Sequence, residues 1–183
     1  GNLGYALHGL GRLQEASIAY GRSRGLLEVD GASAPDRAIN LNNHALVMYD
    51  LGQREQALSL QERSLELRRQ AFPDGHPMVT QALSNIAVNY VEAGRHDDAR
   101  RAATEAVASA PRHFPVGNIM LGRIYRNAGR VMLDLDDPVT ALDLARRALA
   151  VYAGSDGAQD SDRQQAEQLA ERARAHPDLP RPD

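Results

Sequence analysis

Apolar residues recur every three or four positions through the stretch Leu41 to Leu58, and this spacing predicts two amphipathic helices. Gly52 interrupts the pattern between them, which is typical of a turn. The same arrangement returns 42 residues later, from Leu83 to Arg100, and it stands 41 residues earlier, from Leu3 to Ser17. We therefore predict that the chain is built from repeated helix–turn–helix units.

The repeats align when their turn positions are superposed. Four turn residues follow one another at spacings of 41, 42 and 42 residues: Gly11, Gly52, Gly94 and Asp136. The position five residues after each turn is always alanine: Ala16, Ala57, Ala99 and Ala141. The position seven residues before each turn is always small: Gly4, Ala45, Ala87 and Gly129. Small residues at fixed offsets on both helices let the two backbones approach closely, and such units bury their apolar faces only by stacking.

This combination of small residues and turn residues resembles the tetratricopeptide repeat (TPR). The period of about 42 residues, with the segments LNNHALVMY and GHPMVTQALSNIAVNY, resembles the longer kinesin-light-chain type of repeat. The resemblance covers roughly residues 1 to 153. It implies an all-α fold, an α-solenoid of four TPR helix pairs in a right-handed superhelix with a C-terminal capping helix. It also implies a binding scaffold rather than an enzyme.

Turn residues and prolines indicate where each repeat ends. The expected segments are repeat 1 at 1–29, repeat 2 at 34–72, repeat 3 at 76–110, repeat 4 at 115–153, a capping helix at 159–175 and a disordered tail at 176–183. A shorter fourth repeat that turns at Gly129 would place Pro138 inside a helix, so we expect an uninterrupted helix of about 115–135 there. Asp160 or Ser161 is the expected N-cap of the capping helix.

The superposition also aligns four asparagines, each nine residues before a turn: Asn2, Asn43, Asn85 and Asn127. Asparagine is unfavourable within helices because its amide competes with backbone hydrogen bonds. The resemblance implies that these side chains line a concave groove and hold the backbone of an extended peptide. An amide suits that role because it offers both a donor and an acceptor. Alternatively, the four amides bond neighbouring helices and hold the superhelix.

Further residues share the expected helical face with the asparagines. Leu46 and Val88 would form an apolar strip beside them. Acidic residues recur seven positions after three of the asparagines: Asp50, Glu92 and Asp134. They either select a basic ligand or pair with arginines of the next repeat. Arginines crowd the last repeat, where they would suit an acidic ligand group or a C-terminal carboxylate: Arg123, Arg126 and Arg130.

Composition narrows the function. The formal net charge of −3 and the pI near 6.1 argue against a nucleic-acid-binding surface. Cysteine is absent, so the chain has neither disulfides nor a thiolate site. The six histidines form no metal-binding motif, and His44 is expected in the core, because Leu3, Ile86 and Ala128 occupy the equivalent positions. We expect no metal, no cofactor, no nucleic-acid partner and no membrane segment.

Two classes of function remain open. The first is a peptide- or protein-binding TPR scaffold, expected as the interaction or regulatory module of a larger bacterial protein in the cytoplasm, since the chain opens inside a helical pattern. All 21 basic residues are arginine, which indicates GC-rich codon usage. The second is an accessory or dimerisation domain of an enzyme, signalling NTPase or transcription regulator, with no peptide ligand of its own. A homodimer is possible in either class.

Overall fold

The computed structural model describes residues 1–155 and 157–179, which form nine α-helices and no β-strand. In chain order they are α1 (Asn2–Gly9), α2 (Leu13–Val29), α3 (Ala34–Asp50), α4 (Arg54–Ala71), α5 (Pro77–Glu92), α6 (His96–His113), α7 (Ile119–Asp134), α8 (Pro138–Ala153) and α9 (Asp160–Arg174). The predicted all-α fold of four helix pairs and a final helix is confirmed. Residues 180–183 of the expected tail lie outside the described residues.

The four turn positions all adopt the left-handed backbone conformation. Their φ angles are 71° at Gly11, 77° at Gly52, 70° at Gly94 and 57° at Asp136. After α3, for example, the amide of Gln53 bonds the carbonyl of Met48 at 2.9 Å, and the Gly52 amide bonds Tyr49 at 2.9 Å. This is the Schellman arrangement, which ends a helix and reverses the chain. The predicted turn register is therefore correct in all four repeats.

The chain divides into two compact units, Gly1–Ala82 and Leu83–Asp183. In the first unit, α1, α2 and α3 meet around one buried cluster: Leu7, Ala16, Tyr20 and Val47. Gly4 lies directly against the Tyr20 ring, since a Cβ atom there would be 2.8 Å from its carbons. A second cluster joins α3 to α4 through Ala38, Leu41 and Leu67.

The second unit is centred on α7, which buries nine residues and packs against α6, α8 and α9. Gly122 of α7 leaves room for the Tyr152 ring, which is fully buried. Helix α7 continues through Gly129 without a turn, as predicted, and Leu169 of α9 fills the space above this glycine.

The repeated alanines are buried as predicted. Ala16, Ala99 and Ala141 are 0% exposed, and Ala57 is 1% exposed. No larger side chain would fit at these positions without displacing the neighbouring helix.

Three helix boundaries differ from the sequence predictions. Helix α7 begins at Ile119 instead of about 115, because the Asn118 side chain accepts a hydrogen bond from the Met120 amide at 2.9 Å and caps the helix there. Helix α6 continues through Pro111 to His113, where the proline sits in the last turn and the Phe114 amide still bonds Ala110 at 2.9 Å. The N-cap of α9 is Gln159, not Asp160 or Ser161, and no side chain caps that helix.

Candidate functional site

The four aligned asparagines fall into two groups. Asn127 is half-buried; its amide donates to the Ser84 hydroxyl at 3.3 Å and its carbonyl oxygen accepts from Arg126 at 3.4 Å. Asn43 is also half-buried; burial raises the pKa of Tyr20, and a hydrogen bond between Asn43 and the tyrosine side chain opposes that rise. Asn2 and Asn85 are exposed, and neither amide has a partner within residues 1–155 and 157–179. Two amides thus join neighbouring elements, and two are available to a ligand.

In the first unit, one of the recurring acidic residues links the first helices of repeats 1 and 2. Asp50 of α3 lies 2.6 Å from the His8 ring nitrogen of α1, with side-chain exposures of 48% and 26%. Leu46, one turn earlier on α3, remains 45% exposed, and Tyr5 of α1 is 72% exposed. This surface therefore combines apolar area with a histidine–carboxylate pair.

In the second unit, the acids also pair with bases of neighbouring repeats. Arg130 lies 3.6 Å from Glu92 on α5 and 3.7 Å from Asp134 on its own helix. Asp134 in turn lies 3.6 Å from Arg172 of α9. Val88, one turn after Asn85, is half-buried. Such long, partly exposed pairs contribute little stability, but they neutralise much of the acidic edge.

Arg123 is engaged by a residue that the sequence analysis did not single out. Its guanidinium donates two hydrogen bonds of 3.0 Å to Asp162 of α9, and Arg126 donates a third at 3.1 Å. The Asp162 residue is only 4% exposed. The hydrogen bond from Arg123 lowers the pKa of this carboxyl despite its burial, which raises it. Arg123 therefore holds α9 in place, and Asp162 lies 39 residues away in sequence, too far for local patterning to reveal the pair.

A cleft of about 340 Å³ lies between α7 and α9, beside Asn127. Its lining is mostly polar: Arg126, Asn127, Arg130, Gln165, Gln168, Leu169 and Arg172. Two glutamine amides and the edges of three guanidinium groups can donate hydrogen bonds to carbonyl or carboxylate oxygens.

Two of the histidines are hydrogen-bonded within the first unit. His44 is 8% exposed, as expected of a core residue, and its Nε2 lies 3.0 Å from the Ser17 hydroxyl. His76 lies in the loop before α5, where its Nδ1 accepts from the Met78 amide at 3.1 Å. Within the described residues, no group of three metal-ligating side chains occurs. None of the described helices is long and apolar enough to cross a membrane.

Residues 36–112 match the family model of the tetratricopeptide repeat. The crystal structure of a single-substitution variant of a Podospora anserina protein, designated a kinesin light chain with nearly identical TPR-like repeats, is similar with a TM-score of 0.79 and 18% identity, over 94% of this chain and 82% of that one. A second crystal structure under the same designation has a TM-score of 0.72, 18% identity, and coverage of 95% and 91%.

The crystal structure of BtubC (BKLC) from P. vanneervenii is similar with a TM-score of 0.76 and 22% identity, over 86% of this chain and 63% of that one. None of the curated proteins that were compared matches the sequence. At these identities the solved structures establish the fold and leave the ligand open.

Proposed function

Because residues 36–112 match the tetratricopeptide repeat and the chain has the fold of the kinesin-light-chain type, a scaffold generally used for protein interaction, we propose that it binds an extended peptide segment of a partner protein. On each unit taken by itself, the residues that would hold a peptide are the aligned asparagines and the side chains around them. In the first unit these are Asn2, Asn43, Leu46 and Asp50; in the second unit they are Asn85, Val88, Glu92, Asn127, Arg130 and Asp134.

One observation carries this proposal. Asn85 lies in the middle of α5 and is exposed. Neither the NH2 group nor the carbonyl oxygen of its side chain is hydrogen-bonded within the described part of the chain. An asparagine there gives the helix nothing that alanine would not give better. A peptide bond laid across it would supply the missing acceptor and donor, and each hydrogen bond would contribute about 0.5–1.5 kcal/mol.

The charge pairs favour a ligand recognised through its backbone. A basic ligand side chain would have to displace His8 from Asp50, or Arg130 and Arg172 from Asp134. Because those pairs are partly exposed, the displacement is cheap, and a modest preference for basic ligands remains compatible with the surface. Apolar ligand side chains would contact Leu46 and Val88. Affinity would come from the backbone, and sequence preference from these edges.

The decisive variant is Asn85→Ala, because this residue has no partner to lose among the described residues. We expect it to weaken peptides of unrelated sequence by similar factors, about two- to tenfold, as measured by fluorescence anisotropy on hits from a peptide array. Gln164→Ala, an exposed amide on α9, is the control and should leave affinity unchanged. If the array yields no ligand, or if Asn85→Ala binds every hit as tightly as the unaltered chain, the peptide-binding proposal fails.

The alternative function is dimerisation, and a specific feature of α1 favours it. Leu3 is 67% exposed, whereas the equivalent residues of later repeats, His44, Ile86 and Ala128, are all at most 8% exposed. A second copy of the chain could cover this face in an isologous pair. Sedimentation equilibrium distinguishes the two: a mass that doubles with concentration, and returns to that of the monomer in Leu3→Ser, would support dimerisation.

The wider setting that we propose is the cytoplasm of a bacterium, with this chain acting inside a larger regulator. All 21 of its lysine and arginine positions are arginine, and this codon usage supports a source organism with a GC-rich genome. Pull-down of partners with the unaltered chain and with Asn85→Ala, from a cytosolic fraction, would test this setting together with the binding surface.

A further inference from the structure

A second cleft of about 340 Å³ lies in the first unit, among α2, α3 and α4. Its lining combines apolar and basic side chains: Arg24, Leu27, Glu28, Arg37, Leu41, Ser59, Leu60, Arg63 and Leu67. None of these residues is among those proposed above to hold a peptide. The volume falls within the range of small-molecule sites.

Two of its arginines are unpaired. Arg24 and Arg37 form no hydrogen bond or ion pair within residues 1–155 and 157–179, although Glu28 lines the same cleft. The Nε of Arg37 is buried without an acceptor. Arg63 differs, since it is paired with Glu66 on α4. A buried guanidinium N–H without a partner is unfavourable, so this cleft would gain stability from an anion placed beside Arg37.

The rest of the lining is apolar. Leu41 and Leu67 are 6% and 4% exposed, and Leu27 and Leu60 are half-buried beside them. Leu27 and Leu60 keep apolar surface in contact with water, and a hydrocarbon group that covers it would be held by the hydrophobic effect. The cleft therefore combines a carboxylate-binding group with a surface for an apolar body.

The helical setting disfavours a peptide as the occupant. The cleft is formed by side chains from three helices, whose backbone amides and carbonyls bond one another. A peptide would place polar main-chain groups on the leucines, where they would lose water without gaining hydrogen bonds. A small acid with a hydrocarbon body has no such groups.

We propose that this cleft binds a small amphiphilic carboxylic acid, whose carboxylate is held by Arg24 and Arg37 and whose hydrocarbon part lies on Leu27, Leu41, Leu60 and Leu67. The site is independent of the peptide surface, so either proposal can fail without the other. It would make binding of a metabolite a second property of the scaffold.

The experiment is an NMR titration of the full chain with sodium octanoate. We expect saturable amide shifts confined to α2, α3 and α4, and a dissociation constant that rises about tenfold in Arg37→Gln and in Arg24→Gln. Acetate, which lacks the hydrocarbon body, should bind far more weakly, and octylammonium, which reverses the charge, should not bind in the cleft.

The matched control is the substitution Arg22→Gln. Arg22 is an exposed residue of α2, the helix that also carries Arg24, and it does not line the cleft. This variant should bind octanoate as the unaltered chain does, which separates local contact from loss of overall positive charge. Equal weakening in Arg22→Gln, shifts that map outside the three helices, or unchanged affinity in both cleft variants would overturn the proposal. So would tighter binding by the blocked dipeptide acetyl-Glu-Leu-amide than by octanoate, since a peptide segment would then be the better occupant.

Discussion

At the scale of single residues, the recurring asparagines illustrate how one sequence position takes different roles in successive repeats. Asn127 joins α7 to Ser84, and Asn43 bonds Tyr20, whereas Asn85 stays exposed. The 42-residue period predicts that all four side chains lie at equivalent points of a helix. It does not predict their partners, because Ser84 and Tyr20 belong to neighbouring elements whose residues vary from repeat to repeat.

His44 provides a pH-dependent prediction at the same scale. Burial lowers its pKa below 6.5, and the charge of Arg24 lowers it further. Between the lowered folded value and 6.5, the unfolded chain binds more protons than the folded one, so protonation favours unfolding there. The contribution of His44 to stability is complete above about pH 6.5 and falls as the pH decreases towards the folded pKa.

Urea denaturation measured between pH 7.5 and pH 5 tests this dependence. In His44→Leu combined with Ser17→Ala, which removes the hydroxyl 3.0 Å from the ring, the decrease in stability over this interval should be smaller. An identical pH profile for the double variant and the unaltered chain would show that His44 titrates normally in the folded state.

At the scale of helices, α9 continues the register of the repeats. The pair Arg172–Asp134 reproduces the pair Arg130–Glu92 one 42-residue period later. Helix α9 therefore lies where the first helix of a fifth repeat would lie, and it packs on α7 and α8. Its buried residues Ala166, Ala170 and Ala173 face the preceding repeat, while Gln164, Glu167 and Glu171 are exposed. A polar outer face of this kind is what a capping helix needs.

We predict that Asp162→Asn loosens α9 selectively. The substitution leaves Arg123 and Arg126 without their carboxylate partner, and we expect it to cost about 1–3 kcal/mol, which is less than for a fully buried pair because Arg123 is 38% exposed. Hydrogen exchange should show faster exchange of the α9 amides, with α3 and α4 unchanged.

Asp143→Asn is the control for charge, since Asp143 is 65% exposed and lies 3.8 Å from Arg147. This substitution should leave the hydrogen-exchange rates of the α9 amides unchanged. Similar acceleration by both substitutions would mean that net charge, not the buried contact, holds the helix.

A third prediction concerns the packing inside a repeat. Ala99 is fully buried on α6, and Ala99→Leu adds a side chain for which there is no space. We expect a loss of about 1–3 kcal/mol in the free energy of unfolding, measured by urea denaturation. The control Ala108→Leu lies on the exposed face of the same helix and should change stability by less than about 0.5 kcal/mol. Equal stability of the two variants would contradict the close approach of the helices.

At the scale of the whole molecule, the predictable features are those that depend on local periodicity. The spacing of apolar residues predicts the helices, and the turn residues predict the ends of those helices to within a few positions. Contacts between residues distant in sequence were not predictable in this way. The role of Asp162 is an example, because the two arginines that bind this carboxylate lie on α7, 36 and 39 residues away in sequence. The cleft at Arg37 is formed by side chains from three helices, and the periodicity of any one helix does not predict it.

The last prediction is that stability varies along the array. In a repeat fold each helix packs mainly on its sequence neighbours, so local opening depends on the residues that each helix buries. Helix α1 has 8 residues and buries only Gly4 and Leu7, whereas α7 has 16 residues and buries nine of them. Native-state hydrogen exchange should therefore show fastest opening in α1 and slowest in α7.

A local variant separates this gradient from global unfolding. Leu7→Ala removes part of the cluster with Ala16, Tyr20 and Val47, and we expect a cost of at least about 2 kcal/mol within that cluster. Exchange in α1 and α2 should accelerate, while α7 keeps its protection. If every helix instead accelerates by the same factor, the chain opens as one cooperative block, and α1 is not the element from which unfolding starts.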